Sequence, residues 1–217
     1  MGLEFYIIDV EATGLSAQMH EVCEVSIIRC KDRVQLTEFI KCETPWTASY
    51  DALRITNKTL ADLETGNTKE SSIEKIDKFL SLDGLTPAHR CFIAHNASYD
   101  KKMIHALYKK VNKLCPVDLW MCSMALTKAY AKKSGLIVKS GSNKTSFRLE
   151  ASCNLLGVKR YSGAHASKVD TRNTYLLWKA LVEDKKVDYL PFIKTYKHTI
   201  SNQSEYNDDV DMSILED

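Results

Sequence analysis

Three short apolar runs in the first forty residues are the feature that most limits how this chain can fold. Phe5–Val10 has the length and composition of a buried strand. Val22–Cys30 and Val34–Lys41 follow with partial alternation, and only the polar Lys31–Arg33 segment separates them. Three consecutive strands joined by short connections predict an antiparallel meander at the start of the domain.

The pattern changes after an irregular connection at 43–70, for which we expect only short helices. Strands are predicted at Cys91–His95 and Val117–Met121, and helical periodicity occupies the segments before, between and after them. The first of these helices is predicted to begin with Ser72 as its cap, and the last to run from about Ser167 to Val182. Strands that alternate with helices after a meander predict an α/β domain with a mixed five-stranded sheet and helices on both faces.

Composition agrees with one ordinary globular domain, which we place at residues 1–200. The chain has 217 residues, of which 44% are hydrophobic and 27% are charged. The tail at 201–217 contains six acids and no Lys or Arg, and we expect it to be disordered. The rest of the chain is therefore basic, which suits a polyanionic partner, although such a charge balance also merely solvates many surfaces.

Apolar stretches of strand length are far too short to cross a bilayer, so no membrane association is expected. No secretory signal is visible, and we expect a protein of the cytoplasm or nucleoid that is not secreted. The seven cysteines include no CxxC pair, which indicates reduced, mostly buried thiols rather than disulfides or a zinc site.

Two acids lie at the end of the first predicted strand. Side chains alternate along a strand, so Asp9 and Glu11 project from the same face. Two neighbouring carboxylates at the end of an apolar strand repel one another unless a cation lies between them. Oxygen ligands of this kind suit Mg²⁺ or Mn²⁺. The alternative is that both acids simply solvate a turn.

A third acid lies where the fourth strand turns into a helix. Asp100 falls in the first helical turn, where a carboxylate also favours the positive helix terminus without any further role. His95, at the end of the strand, is expected to be packed or hydrogen-bonded rather than a metal ligand.

A fourth acid begins the last helix. The five-residue separation of His165 and Asp170 fits a histidine on the Tyr161–Ala166 loop, which contains Gly163, and an acid fixed in the helix. This arrangement would combine a rigid metal ligand with a movable base. The alternative is a surface histidine and an ordinary helical aspartate.

Together these segments resemble the DEDDh exonuclease family, which is named for four acids and a histidine. The family motif DxExTGL matches Asp9–Leu15, HNAxFD matches His95–Asp100 with Tyr99 in place of Phe, and H-x4-D matches His165–Asp170. Order and spacing agree over roughly residues 5–182. Among the subgroups, the segments look most like exonuclease X, followed by polymerase proofreading subunits.

The resemblance implies a ribonuclease H-like fold and a 3′→5′ exonuclease with two Mg²⁺ ions, for which Mn²⁺ could substitute. The ions would lie about 4 Å apart, held by Asp9, Glu11, Asp100 and Asp170. His165 would act as general base for the attacking water. Thr13, Gly14, Leu15 and Asn96 match segments that bind the terminal nucleotide.

The resemblance further implies release of nucleoside 5′-monophosphates from single-stranded 3′ ends. We expect DNA as substrate, a role in DNA repair or replication, and association with a polymerase or repair complex. The basic Lys128–Arg148 segment is a candidate backbone contact or only a solvated loop. Two alternatives remain: an RNA-trimming exoribonuclease or oligoribonuclease of the same fold, and a catalytically silent nucleic-acid-binding or polymerase-associated domain. The presence of all five chemical residues argues against silence.

Overall fold

The fold was determined as a computed structural model that describes residues 2–137, 145–163 and 166–196. The acidic tail predicted at 201–217 and most of the basic Lys139–Thr145 segment lie outside these ranges. In the described part of the chain, no helix has the length and apolar character needed to span a bilayer. All seven cysteines are free thiols, and five of them are buried.

A single mixed sheet forms the centre of the domain, with the strand order β3-β2-β1-β4-β5-β6. The first three strands form the predicted antiparallel meander, while β4 and β5 run parallel to β1. The strands are β1 Glu4–Ala12, β2 Val22–Arg29, β3 Gln35–Phe39, β4 Arg90–Ala94, β5 Leu119–Cys122 and β6 Lys194–Thr195. This order and these directions confirm the predicted mixed α/β sheet.

The sheet has one strand more than the five predicted. Strand β6 contains only two exposed residues and pairs antiparallel with β5 through Leu119 and Thr195. A strand this short has no alternation of apolar and polar residues, so the sequence pattern could not indicate it.

Seven α-helices are described: α1 Tyr50–Thr56, α2 Leu60–Leu63, α3 Lys69–Ser81, α4 Ala97–Lys110, α5 Ser123–Lys133, α6 Leu149–Leu156 and α7 Ser167–Lys179. The prediction that Ser72 caps α3 was wrong. The hydroxyl of Thr68 accepts a hydrogen bond from the backbone N–H of Ser71, so the helix begins a turn earlier and Ser72 is buried within it. Gly157 ends α6 in the left-handed conformation that glycine adopts readily.

Strand β1 divides the core into two layers because its side chains alternate between the faces of the sheet. Tyr6, Ile8 and Val10 pack in the cluster that contains the apolar side chains of α3 and α4. Ile7 packs on the opposite face, where Trp178 of α7 contributes to the cover. Asp9 and Glu11 continue the row of Ile7, so the strand directs both acids towards the side of the sheet on which α7 lies.

Candidate active site

Three carboxylates, two from strand β1 and one from helix α7, lie close together at the end of β1. Oxygen atoms of Asp9, Glu11 and Asp170 all lie within 4.8 Å of one another, and each side chain is partly buried. Asp9 and Glu11 occupy the same face of β1, and Asp170 lies in the first turn of α7. The structure therefore brings together three of the four acids that were predicted to hold metal.

The fourth acid, Asp100, lies in the first turn of α4 and is only 3% exposed. Its Oδ1 atom accepts a hydrogen bond of 3.2 Å from the backbone N–H of Val10. Because Val10 lies between Asp9 and Glu11, this bond fixes Asp100 beside the acidic end of β1. Asp100 is also the charge that most strongly raises the pKa of Asp9.

Burial makes these acids poor anions in the absence of a cation. It raises the pKa of Asp9 well above the ordinary range, and the charges of Asp100, Glu11 and Asp170 add to the effect. Burial likewise raises the pKa of Glu11 to about 8 and that of Asp100 to about 8. Clustered, buried carboxylates offer the hard oxygen donors that a divalent cation prefers.

A further acid, Glu24 on the neighbouring strand β2, is paired with a lysine. Glu24 of β2 pairs directly with Glu11 across the strands and is buried. Its Oε2 atom lies 2.7 Å from Nζ of Lys58, and its Oε1 atom accepts a hydrogen bond of 2.7 Å from the hydroxyl of Ser167. Lys58 therefore neutralises Glu24, while its charge also lowers the pKa of the neighbouring Glu11.

Sequence reasoning missed this group of Glu24, Lys58 and Ser167. An acid within the apolar run Val22–Cys30 was a usable signal, because a buried carboxylate requires a partner. The partner itself was not visible, since Lys58 comes from the irregular connection at 43–70.

Helix α7 is attached to the sheet close to the residue that it contributes to the site. Besides the bond from Ser167 to Glu24, the side-chain amide of Gln35 donates to the carbonyl of Lys168 at 3.0 Å. The guanidinium of Arg172 donates in turn to Oε1 of Gln35 at 2.8 Å. These bonds flank Asp170 on both sides and hold the first turns of α7 in place.

His165, the predicted general base, lies outside the described residues. The structure describes Gly163 before it, with φ of 101°, and the start of α7 after it. Gly163 therefore uses the left-handed backbone region that glycine adopts readily. The role of His165 stays a prediction.

The turn after β1 is held by hydrogen bonds to the Thr13 side chain and to the backbone carbonyls of Thr13 and Gly14. Thr13 is buried, its hydroxyl accepts from the N–H of Glu21 at 2.9 Å, and its carbonyl accepts from the N–H of Ser49 at 2.8 Å. The carbonyl of Gly14 accepts from the hydroxyl of Tyr99 at 3.3 Å. A Cβ atom at Gly14 would lie 2.5 Å from the ring of His20, so a larger residue there would require this ring to move.

The other two predicted substrate residues stand at the edge of this site. Leu15 is 68% exposed, so its side chain is accessible to a ligand. Asn96 has a φ of 73° and is the N-cap residue of α4, three residues before Tyr99. The side chain of Asn96 accepts a hydrogen bond of 3.3 Å from Ser98.

His95 is a packed histidine, as predicted. One ring nitrogen lies 2.9 Å from the hydroxyl of Ser123, and the other lies 2.8 Å from the carbonyl of Phe147. Burial lowers the pKa of His95 to about 4, so the ring is neutral near neutral pH. It links β4, α5 and the segment before α6 rather than serving as a ligand.

Comparison with known families agrees with the motifs. The model of the exonuclease family RNase_T matches residues 6–178, and the chain belongs to this family. A curated relative, the PolC-type DNA polymerase III of Mycoplasma pneumoniae, is 30% identical over 138 residues. That match covers 58% of this chain but only 9% of the polymerase, so the chain spans a small part of that relative.

Solved structures of exonucleases share the fold. E. coli exonuclease I in complex with a dT13 oligonucleotide has a TM-score of 0.69 at 16% identity, covering 85% of this chain and 42% of that one. The nuclease domain of 3′hExo, a DEDDh family member bound to rAMP, has a TM-score of 0.66 at 14% identity and covers 90% and 97%. Cell-death related nuclease 4 has a TM-score of 0.68 at 13% identity, with 84% and 64% covered.

The family match makes the chain a member of the exonuclease family RNase_T, and its fold is shared with a DEDDh nuclease domain of known structure. Members of this family depend on divalent metal ions, and the carboxylate cluster of this chain is suited to such ions.

Proposed function

We propose that this protein removes nucleoside 5′-monophosphates one at a time from the 3′ end of single-stranded DNA, with two Mg²⁺ ions as cofactor. The observation that carries the proposal is the cluster of Asp9, Glu11 and Asp170, whose oxygens lie within 4.8 Å of one another in a chain of the exonuclease family. Mn²⁺ would serve as a substitute, because both ions favour carboxylate oxygens.

Each acid has a distinct place in this proposal. Asp9, Glu11 and Asp170 would hold one ion, and Asp9 and Asp100 would hold the second. Bound ions would supply an activated water and charge stabilisation at the phosphate. His165 would take the proton of the attacking water on an imidazole nitrogen, since its ordinary pKa of about 6.5 suits a base near neutral pH.

The substrate residues would orient the last nucleotide. Exposed Leu15 would pack on the terminal base, while the turn at Thr13 and Gly14 would contact the sugar. The Tyr99 bond to Gly14 holds this turn against α4, which supports this assignment. Asn96, at the start of α4, would complete the terminal nucleotide site.

Single-stranded DNA is favoured by two kinds of support. The curated relative is a DNA polymerase, and exonuclease I was solved with dT13. The 200 residues before the tail carry an excess of basic side chains, which suits a nucleic acid backbone. The rAMP bound to 3′hExo supports an RNA-trimming enzyme as the second candidate.

The cellular setting follows from the same support. We infer an intracellular enzyme of DNA replication or repair, acting with a polymerase or repair complex, because the curated relative is a polymerase. Its catalytic unit would comprise residues 1–200, with 201–217 as an acidic extension.

The experiment compares the digestion of four substrates. They are 5′-labelled linear single-stranded DNA, single-stranded RNA of the same sequence, duplex DNA and circular single-stranded DNA. We expect linear DNA to shorten from its 3′ end, the circle to stay intact, and EDTA to stop the reaction. Asp9→Asn should lose nearly all activity. Asp51→Asn is the matched control, because Asp51 is exposed and lies on α1 in a weak 3.6 Å ion pair with Arg54.

Full activity in excess EDTA would overturn the metal site, and rapid cutting of the circle would indicate an endonuclease. Preferential digestion of the RNA strand would favour the second candidate.

A further inference from the structure

A groove of about 620 Å³ runs beside α4, next to the candidate active site. We call it the α4 groove. One wall is the segment 15–18, which follows Gly14, and the other wall is the exposed side of α4 with Lys102, Ala106 and Lys109. Leu15 belongs both to this groove and to the predicted terminal nucleotide site, so the groove begins at that predicted site.

The helical repeat explains why these lysines share one wall. Positions three, four and seven residues apart lie on one stripe of a helix, and Lys102, Ala106 and Lys109 have this spacing. Tyr99 precedes Lys102 by three residues and therefore marks the end of the stripe near Gly14, to which its hydroxyl is bonded. The stripe leads from the active site towards the end of α4.

The charge of the groove is strongly one-sided. Within the described part of the chain, its lining includes three lysines and no acid. Lys110 is bound to the buried carboxylate of Glu21 at 3.2 Å, which reduces its availability. Lys102 and Lys109 make no ion pair with any residue that the structure describes, so their charges are available to an anion.

The length of the stripe matches several nucleotides. At a rise of 1.5 Å per residue, Tyr99 and Lys109 are about 15 Å apart along the helix axis. Phosphates of one stacked strand recur about every 3.4 Å, so this distance corresponds to about four nucleotides. Apolar Leu15 and Ala17 in the opposite wall offer surface for bases while the lysines meet the backbone.

We propose that the α4 groove binds the nucleotides upstream of the cleaved 3′ end, with Lys102 and Lys109 contacting their phosphates. This inference rests on the proposed function, because it assigns the path of that same substrate. It makes the two lysines determinants of affinity for long strands, while the chemical step depends on the acids at the end of β1.

The test compares the double variant Lys102→Gln/Lys109→Gln with the parent protein. Neutralising two phosphate contacts should reduce the slope of log affinity against log salt by about 1.4, because single strands give about 0.7 per contact. Between about 50 and about 200 mM salt, the parent should lose about 7-fold more affinity for an oligonucleotide of about 12 nucleotides than the variant does. Binding is measured in EDTA to prevent cleavage.

A length comparison separates this groove from the catalytic centre. A dinucleotide can pass Lys102 but is too short to reach Lys109, so the variant should lose less kcat/KM on a dinucleotide than on the longer strand. On the longer strand the loss should appear as a raised KM with little change in kcat. The matched control is Lys31→Gln/Lys78→Gln, since both residues are exposed and neither lines the groove. We expect the control to retain the parent's salt slope.

An unchanged salt slope in Lys102→Gln/Lys109→Gln would overturn the groove assignment, and so would an equal loss in the control variant. A parent that binds the oligonucleotide with the expected slope but cuts neither substrate in Mg²⁺ would refute the proposed function and leave the groove assignment supported. A parent that binds no oligonucleotide would overturn the groove assignment as well.

Discussion

Replacing Asp100 with Asn should stabilise the metal-free protein at mildly alkaline pH, although it removes a residue of the candidate metal site. Asp100 is buried, and burial raises its pKa from the ordinary 3.8 to about 8. Between these two pKa values, the folded protein therefore keeps a proton on Asp100 that the unfolded chain has already released. Folding stability must then fall as pH rises from about 4 to about 8.

The structure sets bounds on the effect. One pKa unit corresponds to 1.36 kcal/mol, so the rise from 3.8 to about 8 gives an upper limit of about 6 kcal/mol at pH 8 or above. Asp9 and Asp100 interact, and the protons belong to the pair, so the gain from removing one acid is smaller than this limit. We expect Asp100→Asn to raise the free energy of unfolding by at least about 1 kcal/mol. Each kcal/mol corresponds to a rise in Tm of about 2–4 °C.

Asparagine is the informative replacement because it keeps the shape and one acceptor. Its side-chain carbonyl can still accept the hydrogen bond from the N–H of Val10, which the Asp100 carboxylate accepts at 3.2 Å. The variant therefore changes charge with little change in packing. Asp51→Asn removes an exposed acid of α1 instead and should leave the stability profile unchanged.

The assay is urea denaturation of parent, Asp100→Asn and Asp51→Asn in EDTA at about pH 5 and about pH 8.5, repeated with Mg²⁺. The parent should be less stable at the higher pH, and Asp100→Asn should depend less on pH. Added Mg²⁺ should stabilise the parent more than the Asn variant, because only the native carboxylate pair binds it fully. A parent whose stability in EDTA stays constant or rises with pH would refute the reasoning.

Two further predictions concern the base and the second carboxylate. His165→Ala should bind metal and oligonucleotide as the parent does but lose roughly 10²–10⁴-fold in rate, and near-parental rates from acid to mildly alkaline pH would contradict the assigned role. Lys58→Met should cost about 3–5 kcal/mol in urea denaturation, because it leaves Glu24 buried without its 2.7 Å partner. Adding Glu24→Gln to that variant should recover part of the loss, and strictly additive losses would show that the pair does not interact.

Local patterns predicted most of the fold. Each of the first five strands contains an apolar run that is visible within a few residues of sequence, and the order of strands and helices gave the mixed sheet. Strand β6 could not be foreseen, because two residues paired with β5 have no periodicity of their own. The true cap of α3, Thr68, was missed because Ser72 also offers a hydroxyl before an apolar run.

The candidate site was predictable where its residues stand in motifs and not where they meet only through the fold. Asp9 and Glu11 were placed by strand alternation, and the structure brings Asp170 to them. The contact between Glu24 and Lys58 depends on the register of β1 with β2 and on the path of a long connection. Neither the strand register nor the path of this connection can be predicted from local periodicity.

Helix α7 supplies the third carboxylate of a cluster whose first two belong to the opening strand. During synthesis, the strands that carry Asp9 and Glu11 emerge long before Asp170, and a growing chain folds from its N-terminal part onwards. A chain that ends before α7 therefore lacks Asp170, one of the three clustered carboxylates. By this order of assembly, the proposed metal site is complete only after nearly the whole domain has been synthesised.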